Sequence, residues 1–112
     1  MPIVMPIFGT RPEAIKMAPI VTAFQESADF ECVVTVTGQH REMLDQVNEL
    51  FEIVPDHDLN ILQQRQSLSA IMTRTIDGLD KLFAANKPDA VIVQGDTTTS
   101  TAGAIAAFYH GI

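Results

Sequence analysis

Residues 3–18 read IVMPIFGTRPEAIKMA, and this stretch decides the fold class. A short apolar run ends at Gly9, and a helical pattern with Pro12 in its first turn follows at once. Residues 31–37 (ECVVTVT) repeat this arrangement before Gly38, and residues 89–94 (DAVIVQ) repeat it before Gly95. Runs rich in β-branched and apolar residues favour strands. The chain therefore predicts three strands, each followed by a glycine.

Helical patterns separate the predicted strands. They cover about residues 12–26, 41–51, 67–85 and 98–109, with Ser67 as the expected N-cap of the third helix. The resulting order is β-α-β-α-α-β-α. Continuously apolar strands separated by helices predict an α/β fold with a parallel sheet covered on both faces. Right-handed crossovers would make it an open, doubly wound sheet.

Two prolines conflict with this pattern. Pro6 cannot donate a hydrogen bond, so its strand is expected at a sheet edge or with a tolerated gap. Pro19 is expected to kink the first helix or end it early. Residues 52–66 are expected to form a longer connection, because Pro55 and polar residues interrupt them.

Composition narrows the class of protein. The chain has 112 residues and a net charge of −7, which argues against nucleic-acid binding and against a polybasic membrane anchor. Cys32 is the single cysteine, so a reducing compartment is expected. No signal peptide or membrane-length run is recognised, and a cytoplasmic location is expected. Because Gly111 is typical of a helix stop and Ile112 of a strand start, we expect the chain to be the first part of a larger domain.

The three glycine junctions predict a binding edge. Ligands of open α/β sheets bind beyond the carboxyl ends of the strands, where helix amides attract anions. A single glycine is more often just a tight turn, but all three junctions follow the same pattern here. No G-x-G-x-x-G or G-x-x-x-x-G-K-[ST] motif occurs, which disfavours a dinucleotide dehydrogenase and a P-loop NTPase.

Arg11, Asp96 and Thr97 are the candidate functional residues of these junctions. Arg11 lies at a helix start, where a cation invites an anionic ligand, although it could instead turn outward or pair with Glu13. Lys16 could flank the same region or be an ordinary exposed lysine. Asp96 is the candidate acid or base, and N-capping is its alternative role. The hydroxyl of Thr97 could bind phosphate or sugar, or cap the helix.

Other reactive residues carry weaker signals. His40 is a loop histidine near the second junction, and such residues are more often surface groups than catalysts. Residues 56–58 (DHD) lack further ligands at metal-binding spacing, so no metal site is expected. Cys32 is expected to be a small buried hydrophobic residue.

Four blocks give the chain a family resemblance. FGTRPEAIKMAP (residues 8–19), GQHREMLDQ (38–46), DLNI (58–61) and GDTTT (95–99) resemble, in the same order, blocks of the bacterial non-hydrolysing UDP-N-acetylglucosamine 2-epimerases. The resemblance covers nearly the whole chain. EAIK at residues 13–16 favours this branch over the hydrolysing epimerases, which are similar in fold.

The resemblance implies a two-domain, glycosyltransferase-B-like fold, of which residues 1–112 would be the first part of the N-terminal Rossmann-like domain. It implies reversible conversion of UDP-N-acetylglucosamine to UDP-N-acetylmannosamine without a metal or nicotinamide cofactor, for envelope polysaccharide synthesis. Arg11, Lys16 and Thr97 would bind the nucleotide sugar, and Asp96 would be an active-site acid. The full-length protein would be a homodimer.

The resemblance also implies a neighbouring site for an activating UDP-N-acetylglucosamine molecule. Gln39, Glu42 and Arg65 match positions that contribute to that site. Family members continue into further acids, a histidine and a uridine-binding domain, so the 112 residues alone are expected to be inactive. A non-catalytic nucleotide-sugar binding fragment is the alternative, and a sugar transferase of the same fold is a weaker one.

Overall fold

A computed structural model describes residues 1–112, apart from the side chain of Met43. Its elements in chain order are β1 (Ile3–Phe8), α1 (Arg11–Glu26), β2 (Glu31–Cys32), β3 (Thr35–Val36), α2 (Arg41–Leu50), β4 (His57–Asp58), α3 (Leu68–Ala85), β5 (Ala90–Ile92) and α4 (Thr98–Tyr109). Every strand pairing is parallel. The predicted parallel α/β architecture is confirmed.

Helices cover both faces of the sheet. On one face, Phe8 of β1 packs with buried side chains of α1 and α2, such as Met17 and Leu44. On the other face, Met5 of β1 packs with buried side chains of α3 and α4, such as Leu79. Successive side chains of a strand point to opposite faces, so β1 contributes to both cores. This two-sided burial explains why β1 is continuously apolar.

β1 lies at the centre of the sheet, which settles the expectation about Pro6. It pairs with β5 on one side and with β2 and β3 on the other. The backbone of Val33 donates to the Val4 carbonyl, so the missing N–H of Pro6 faces the strand that contains Val33. That strand is interrupted between β2 and β3 at this level. Pro6 is therefore a tolerated gap, and the edge position is wrong.

Two further expectations are corrected. α1 continues through Pro19 to Glu26, so the early helix end is wrong. Pro19 is exposed, and water can hydrate the backbone carbonyl of Ile15 that the proline leaves without its helical donor. The connection at residues 52–66 contains the short strand β4, whose register pairs Thr35 with His57. Sequence pattern missed β4 because it has only two residues, both polar.

In the described part of the chain, no helix combines the length and apolar character needed to cross a bilayer.

Candidate functional site at the carboxyl edge of the sheet

Three loops meet at one edge of the sheet. The first (residues 9–10) joins β1 to α1, the second (37–40) joins β3 to α2, and the third (93–97) joins β5 to α4. Because β1 pairs in parallel with both β3 and β5, the carboxyl ends of the three strands share this edge. We call these segments the first, second and third loops. The three loops of the predicted binding edge therefore do lie together at one edge of the sheet.

The buried side chain of Glu13, in the first turn of α1, turns back onto the first loop. Its side chain is 1% exposed, although charged residues are rarely buried to this extent. The carboxylate atom Oε1 accepts hydrogen bonds from the backbone N–H of Gly9 at 3.2 Å, the N–H of Thr10 at 3.1 Å and the hydroxyl of Thr10 at 2.8 Å. These bonds satisfy amides at the start of α1 that the helix itself leaves free.

The second carboxylate oxygen of Glu13 reaches the third loop. Oε2 accepts a hydrogen bond from Oγ1 of Thr97 at 2.9 Å. The hydroxyl of Thr97 also accepts from the backbone N–H of Ser100 at 3.1 Å and so caps α4. A hydroxyl has one hydrogen, which Thr97 uses on Glu13. The Thr97 hydroxyl could therefore only accept a hydrogen bond from a ligand. A ligand could also bind the backbone of this residue.

A second buried hydrogen-bond chain joins the second loop to the start of α4, directly after the third loop. Oγ1 of Thr99 donates to Oε1 of Gln39 at 2.7 Å and lies 3.1 Å from Oγ1 of Thr37. Since the one hydrogen of Thr99 goes to Gln39, Thr37 donates to Thr99. All three residues are buried. The loops are therefore held by two separate polar contacts, one through Glu13 and one through Thr99.

Gly9 provides the space for the second chain. A Cβ atom at this position would collide with Oγ1 of Thr37 and lie 2.9 Å from Oγ1 of Thr99. The carbonyl of Gly9 also accepts a hydrogen bond from the backbone N–H of His40 at 2.9 Å. Here a glycine is needed for close approach.

The third loop is braced internally around Asp96. The hydroxyl of Ser100 donates to the carbonyl of Gly95 at 2.7 Å, and Gly95 has a φ of +87° that side chains other than glycine rarely adopt. Asp96 itself is exposed and follows Gly95 directly. The cap of α4 is Thr97, so the capping alternative for Asp96 does not hold.

Arg11 and Lys16 are exposed on α1. Across the described side chains, neither forms a hydrogen bond or salt bridge. The alternative pairing of Arg11 with Glu13 is not seen, because backbone amides and threonine hydroxyls occupy the Glu13 carboxylate. The start of α1 therefore presents a solvent-facing arginine at the positive end of the helix dipole, which suits an anion.

The expected effector-binding residues differ in their placement. Gln39 is buried and contacts Thr99 within the loop cluster. Glu42 is exposed in the first turn of α2, and Arg65 is exposed with a φ of +57° in the segment before α3. Of these three residues, Gln39 alone is seen to contact the start of α4 within the described contacts.

Arg41 anchors the start of α2 to β4. Its guanidinium donates to both carboxylate oxygens of Asp58, at 2.7 and 2.8 Å, and to Oδ1 of Asn60 at 3.1 Å. The hydrogen bond to Asp58 raises the pKa of Arg41, and burial opposes this to a lesser extent. Gly38, at a φ of +74°, leaves room for this guanidinium beneath the second loop. Arg41 is thus occupied by protein partners.

Cys32 lies away from the loops and is half-buried against the α1–α2 core. Burial raises the pKa of its thiol, and the negative charge of Asp56 raises it further. No set of three or more potential metal ligands comes together among the residues that the structure describes.

Sequence reasoning missed Glu13 as the centre of the site. The signal was present: TRPE at residues 10–13 has the spacing of a capping box, in which the glutamate turns back to the helix start. Thr37 and Thr99 carried no comparable signal. Nothing in the sequence distinguishes Thr99 from the threonines before it.

The edge combines groups suited to a phosphorylated ligand. Arg11 and the start of α1 can bind an anion, and the exposed carboxylate of Asp96 can accept or donate a proton. A surface groove of about 320 Å³ adjoins the start of α4 and is lined by Leu68, Ser69, Met72, Thr73 and Thr98. The arrangement therefore supports binding of a phosphorylated molecule next to a group able to transfer protons.

Comparisons with known proteins show which family this chain resembles. The family model for UDP-N-acetylglucosamine 2-epimerase matches residues 22–112. The UDP-N-acetylglucosamine 2-epimerase of Salmonella typhimurium is 58% identical over 109 residues, which is 97% of this chain and 29% of that protein. The chain therefore spans under a third of the length of this curated relative.

Two solved structures are similar to the whole chain. The Neisseria meningitidis UDP-GlcNAc 2-epimerase bound to UDP-GlcNAc has a TM-score of 0.90 and 52% identity, over 98% of this chain and 30% of that one. A Staphylococcus aureus protein solved with UDP has a TM-score of 0.94 and 52% identity, over 100% of this chain and 29% of that one.

Proposed function

This chain belongs to the UDP-N-acetylglucosamine 2-epimerase family, and from that membership we propose that the whole protein is an isomerase that interconverts UDP-N-acetylglucosamine and UDP-N-acetylmannosamine. The observation that carries the proposal is the three-loop edge. It places exposed Asp96 on a loop that Glu13 ties to the start of α1, where Arg11 faces solvent.

The proposed reaction is an elimination followed by an addition. A base removes the proton at C2 of the sugar, the C1–O bond breaks, and UDP leaves with that electron pair. The product is a 2-acetamidoglucal with a double bond between C1 and C2. UDP then adds back at C1, and a proton returns to C2 from the opposite face. The proton at C2 and the UDP group that leave are both replaced, so these steps need no external oxidant or reductant.

The residues of this chain divide the work between proton and phosphate. Asp96 is the proposed proton-transfer group of this chain, because its carboxylate is exposed at the third loop. Arg11 and Lys16, together with the positive end of the α1 dipole, are proposed to bind the diphosphate and stabilise the charge that develops as UDP leaves. Thr97 is proposed to contact the substrate through its backbone or as a hydrogen-bond acceptor, since its hydroxyl hydrogen is used by Glu13.

The rest of the proposal concerns the whole protein. We expect the 112 residues on their own to be inactive, because relatives are more than three times as long and the proposed reaction needs groups on both faces of C2. We also propose that Gln39, Glu42 and Arg65 contribute to a site for an activating nucleotide sugar. A cytoplasmic homodimer that supplies envelope polysaccharide synthesis, binding no nucleic acid and no membrane, completes the proposal.

The test is hydrogen exchange at C2 in the full-length protein. Incubated with UDP-N-acetylglucosamine in D₂O, it should incorporate deuterium at C2 and form UDP-N-acetylmannosamine. Asp96→Asn should abolish turnover while UDP binding is retained. Asp77→Asn, which removes an exposed carboxylate on α3, is the matched control. Binding of UDP without any C2 exchange would replace the proposal with a non-catalytic nucleotide-sugar binding role.

A further inference from the structure

We propose that Glu13 is a positioning residue, which holds the Asp96 loop in its working conformation through the hydroxyl of Thr97. The inference rests on the proposed function, because the loop it positions carries the proposed proton-transfer group. Glu13 is 1% exposed and does not reach solvent, so it acts through the protein and not on the substrate.

The two carboxylate oxygens of Glu13 serve different loops. Oε1 binds the amides of Gly9 and Thr10, and Oε2 binds Oγ1 of Thr97, 84 residues further along the chain. One rigid planar group therefore fixes the start of α1 relative to the third loop. Asp96 immediately precedes Thr97, so a shift of Thr97 carries the Asp96 backbone with it.

Every contact of this carboxylate comes from a donor. Two backbone N–H groups and two threonine hydroxyls donate to it, a pattern suited to an acceptor-only carboxylate. Within the described residues, no salt bridge involves Glu13. The amide of a glutamine has the same shape but accepts on one side only. Glu13→Gln therefore either replaces the charge-assisted bond from Thr97 with a weaker one donated to Thr97 by the NH₂ group, or places that NH₂ group against the amides of the first loop.

The donors around Glu13 make a buried carboxylate compatible with an edge proposed to bind an anion. An exposed glutamate here would repel a diphosphate, whereas the four hydrogen bonds donated to Glu13 offset part of its negative charge. The exposed Arg11 does not pair with Glu13 and stays available to an anionic ligand. The hydrogen-bond arrangement thus separates the group that positions the loop from the group proposed to bind phosphate.

The experiment compares four variants in the full-length protein: Glu13→Gln, Thr97→Val, the double variant and Thr97→Ser. Glu49→Gln is the matched control, because this glutamate is exposed on α2. The kcat and KM for UDP-N-acetylglucosamine are measured, together with UDP affinity and the thermal midpoint. Backbone amide exchange of residues 95–99 is followed by mass spectrometry and does not depend on activity.

We expect Glu13→Gln to lower kcat by about 10- to 100-fold, the size of effect that a small misplacement of a reacting group produces. KM should change less than about threefold, since the interaction supports the transition state and not ground-state binding. Thr97→Val should show a similar loss, Thr97→Ser should lose less kcat than Thr97→Val, and the double variant should lose no more than the worse single variant. Exchange at residues 95–99 should accelerate in Glu13→Gln and not in Glu49→Gln.

Three results overturn the inference. One is unchanged kcat together with unchanged loop exchange in Glu13→Gln. Another is a double variant whose loss equals the product of the single losses, which would make the two residues independent. The third applies if Glu13→Gln does not fold: equal kcat and equal loop exchange in Thr97→Val and Thr97→Ser. An unsubstituted protein without C2 exchange would refute the proposed function, and the loop-exchange comparison would still decide whether Glu13 holds the loop.

Discussion

The Oγ1 hydroxyl of Thr99 donates a hydrogen bond to Oε1 of Gln39 across 2.7 Å, joining the start of α4 to the loop before α2. Both residues are buried, and Thr37, from the same loop as Gln39, donates to the same hydroxyl. One side-chain oxygen of α4 therefore holds the second loop at two points. Because buried polar groups are costly when left unpaired, this contact gives the first prediction.

Thr99→Val should destabilise the protein by about 1–3 kcal/mol. Valine matches threonine in shape but leaves Oε1 of Gln39 and the hydroxyl of Thr37 without their shared partner. Thr101→Val, which alters an exposed threonine of the same helix, should change stability by less than about 0.5 kcal/mol. Urea unfolding of the full-length protein, followed by circular dichroism, measures both. Equal losses in the two variants would contradict the structural role of the Thr99 hydroxyl.

Gly9→Ala and Gly95→Ala should both destabilise the fold, but for different physical reasons. The new methyl group at Gly9 would collide with Thr37 and Thr99, at a cost of about 1–3 kcal/mol for overpacking. The new methyl at Gly95 meets no atom within 4 Å, so its cost is the backbone strain of a φ of +87°. That strain amounts to about 1–2 kcal/mol.

Second-site changes distinguish the two mechanisms. Thr37→Ala removes the Oγ1 atom that lies nearest to the new methyl group, so Gly9→Ala should cost less stability in the Thr37→Ala background than in the unsubstituted protein. The cost of Gly95→Ala should be the same in both backgrounds. Gly95→Asn should be tolerated better than Gly95→Val, because asparagine enters left-handed conformations more readily. Unfolding midpoints of these variants and of Thr37→Ala alone provide the measurement. A smaller cost of Gly95→Ala in the Thr37→Ala background would show that the steric account is wrong.

Cys32 should react slowly with thiol reagents near neutral pH. Burial and the charge of Asp56 both raise the pKa of its thiol, so the reactive thiolate is scarcer than for an ordinary cysteine. Asp56→Asn removes the charge, lowers this pKa and should increase the alkylation rate at a fixed pH. Asp29→Asn, a change at an exposed position, is the control. Iodoacetamide labelling of the Cys32 peptide, quantified by mass spectrometry from pH 7 to 10, gives the rates; a slower reaction in Asp56→Asn would contradict the assignment.

The fold was predictable because its strongest signals are periodic. Buried strands read as apolar runs, and the bounds predicted for α4 agree with the observed Thr98–Tyr109. Pattern failed where a partner decides the structure. The strand β4 exists through pairing with β3, which no local propensity of His57 and Asp58 indicates. Pro6 occupies a central strand because the neighbouring strand is interrupted there and tolerates the missing donor.

The location of the candidate site was predictable from the sequence, but the hydrogen bonds that connect its residues were not. Glycine followed by polar residues correctly indicated which edge of the sheet gathers the loops. The roles within that edge depend on contacts between residues far apart in the chain, such as Glu13 and Thr97. Thr97 was expected to contact a ligand or cap a helix, and the structure places its hydroxyl on Glu13 as well as at the cap of α4. Local spacing does not contain that information.

The run Thr97-Thr98-Thr99 looks like simple repetition, but its three positions are not interchangeable. The first hydroxyl donates a hydrogen bond to Glu13, and the third donates one to Gln39. The second residue lines the groove beside Leu68. Insertion or deletion of one threonine would leave a run of threonines but would shift which of them meets each partner. Each threonine of the run is therefore defined by its position relative to a fixed neighbour, and residue type alone does not determine its role.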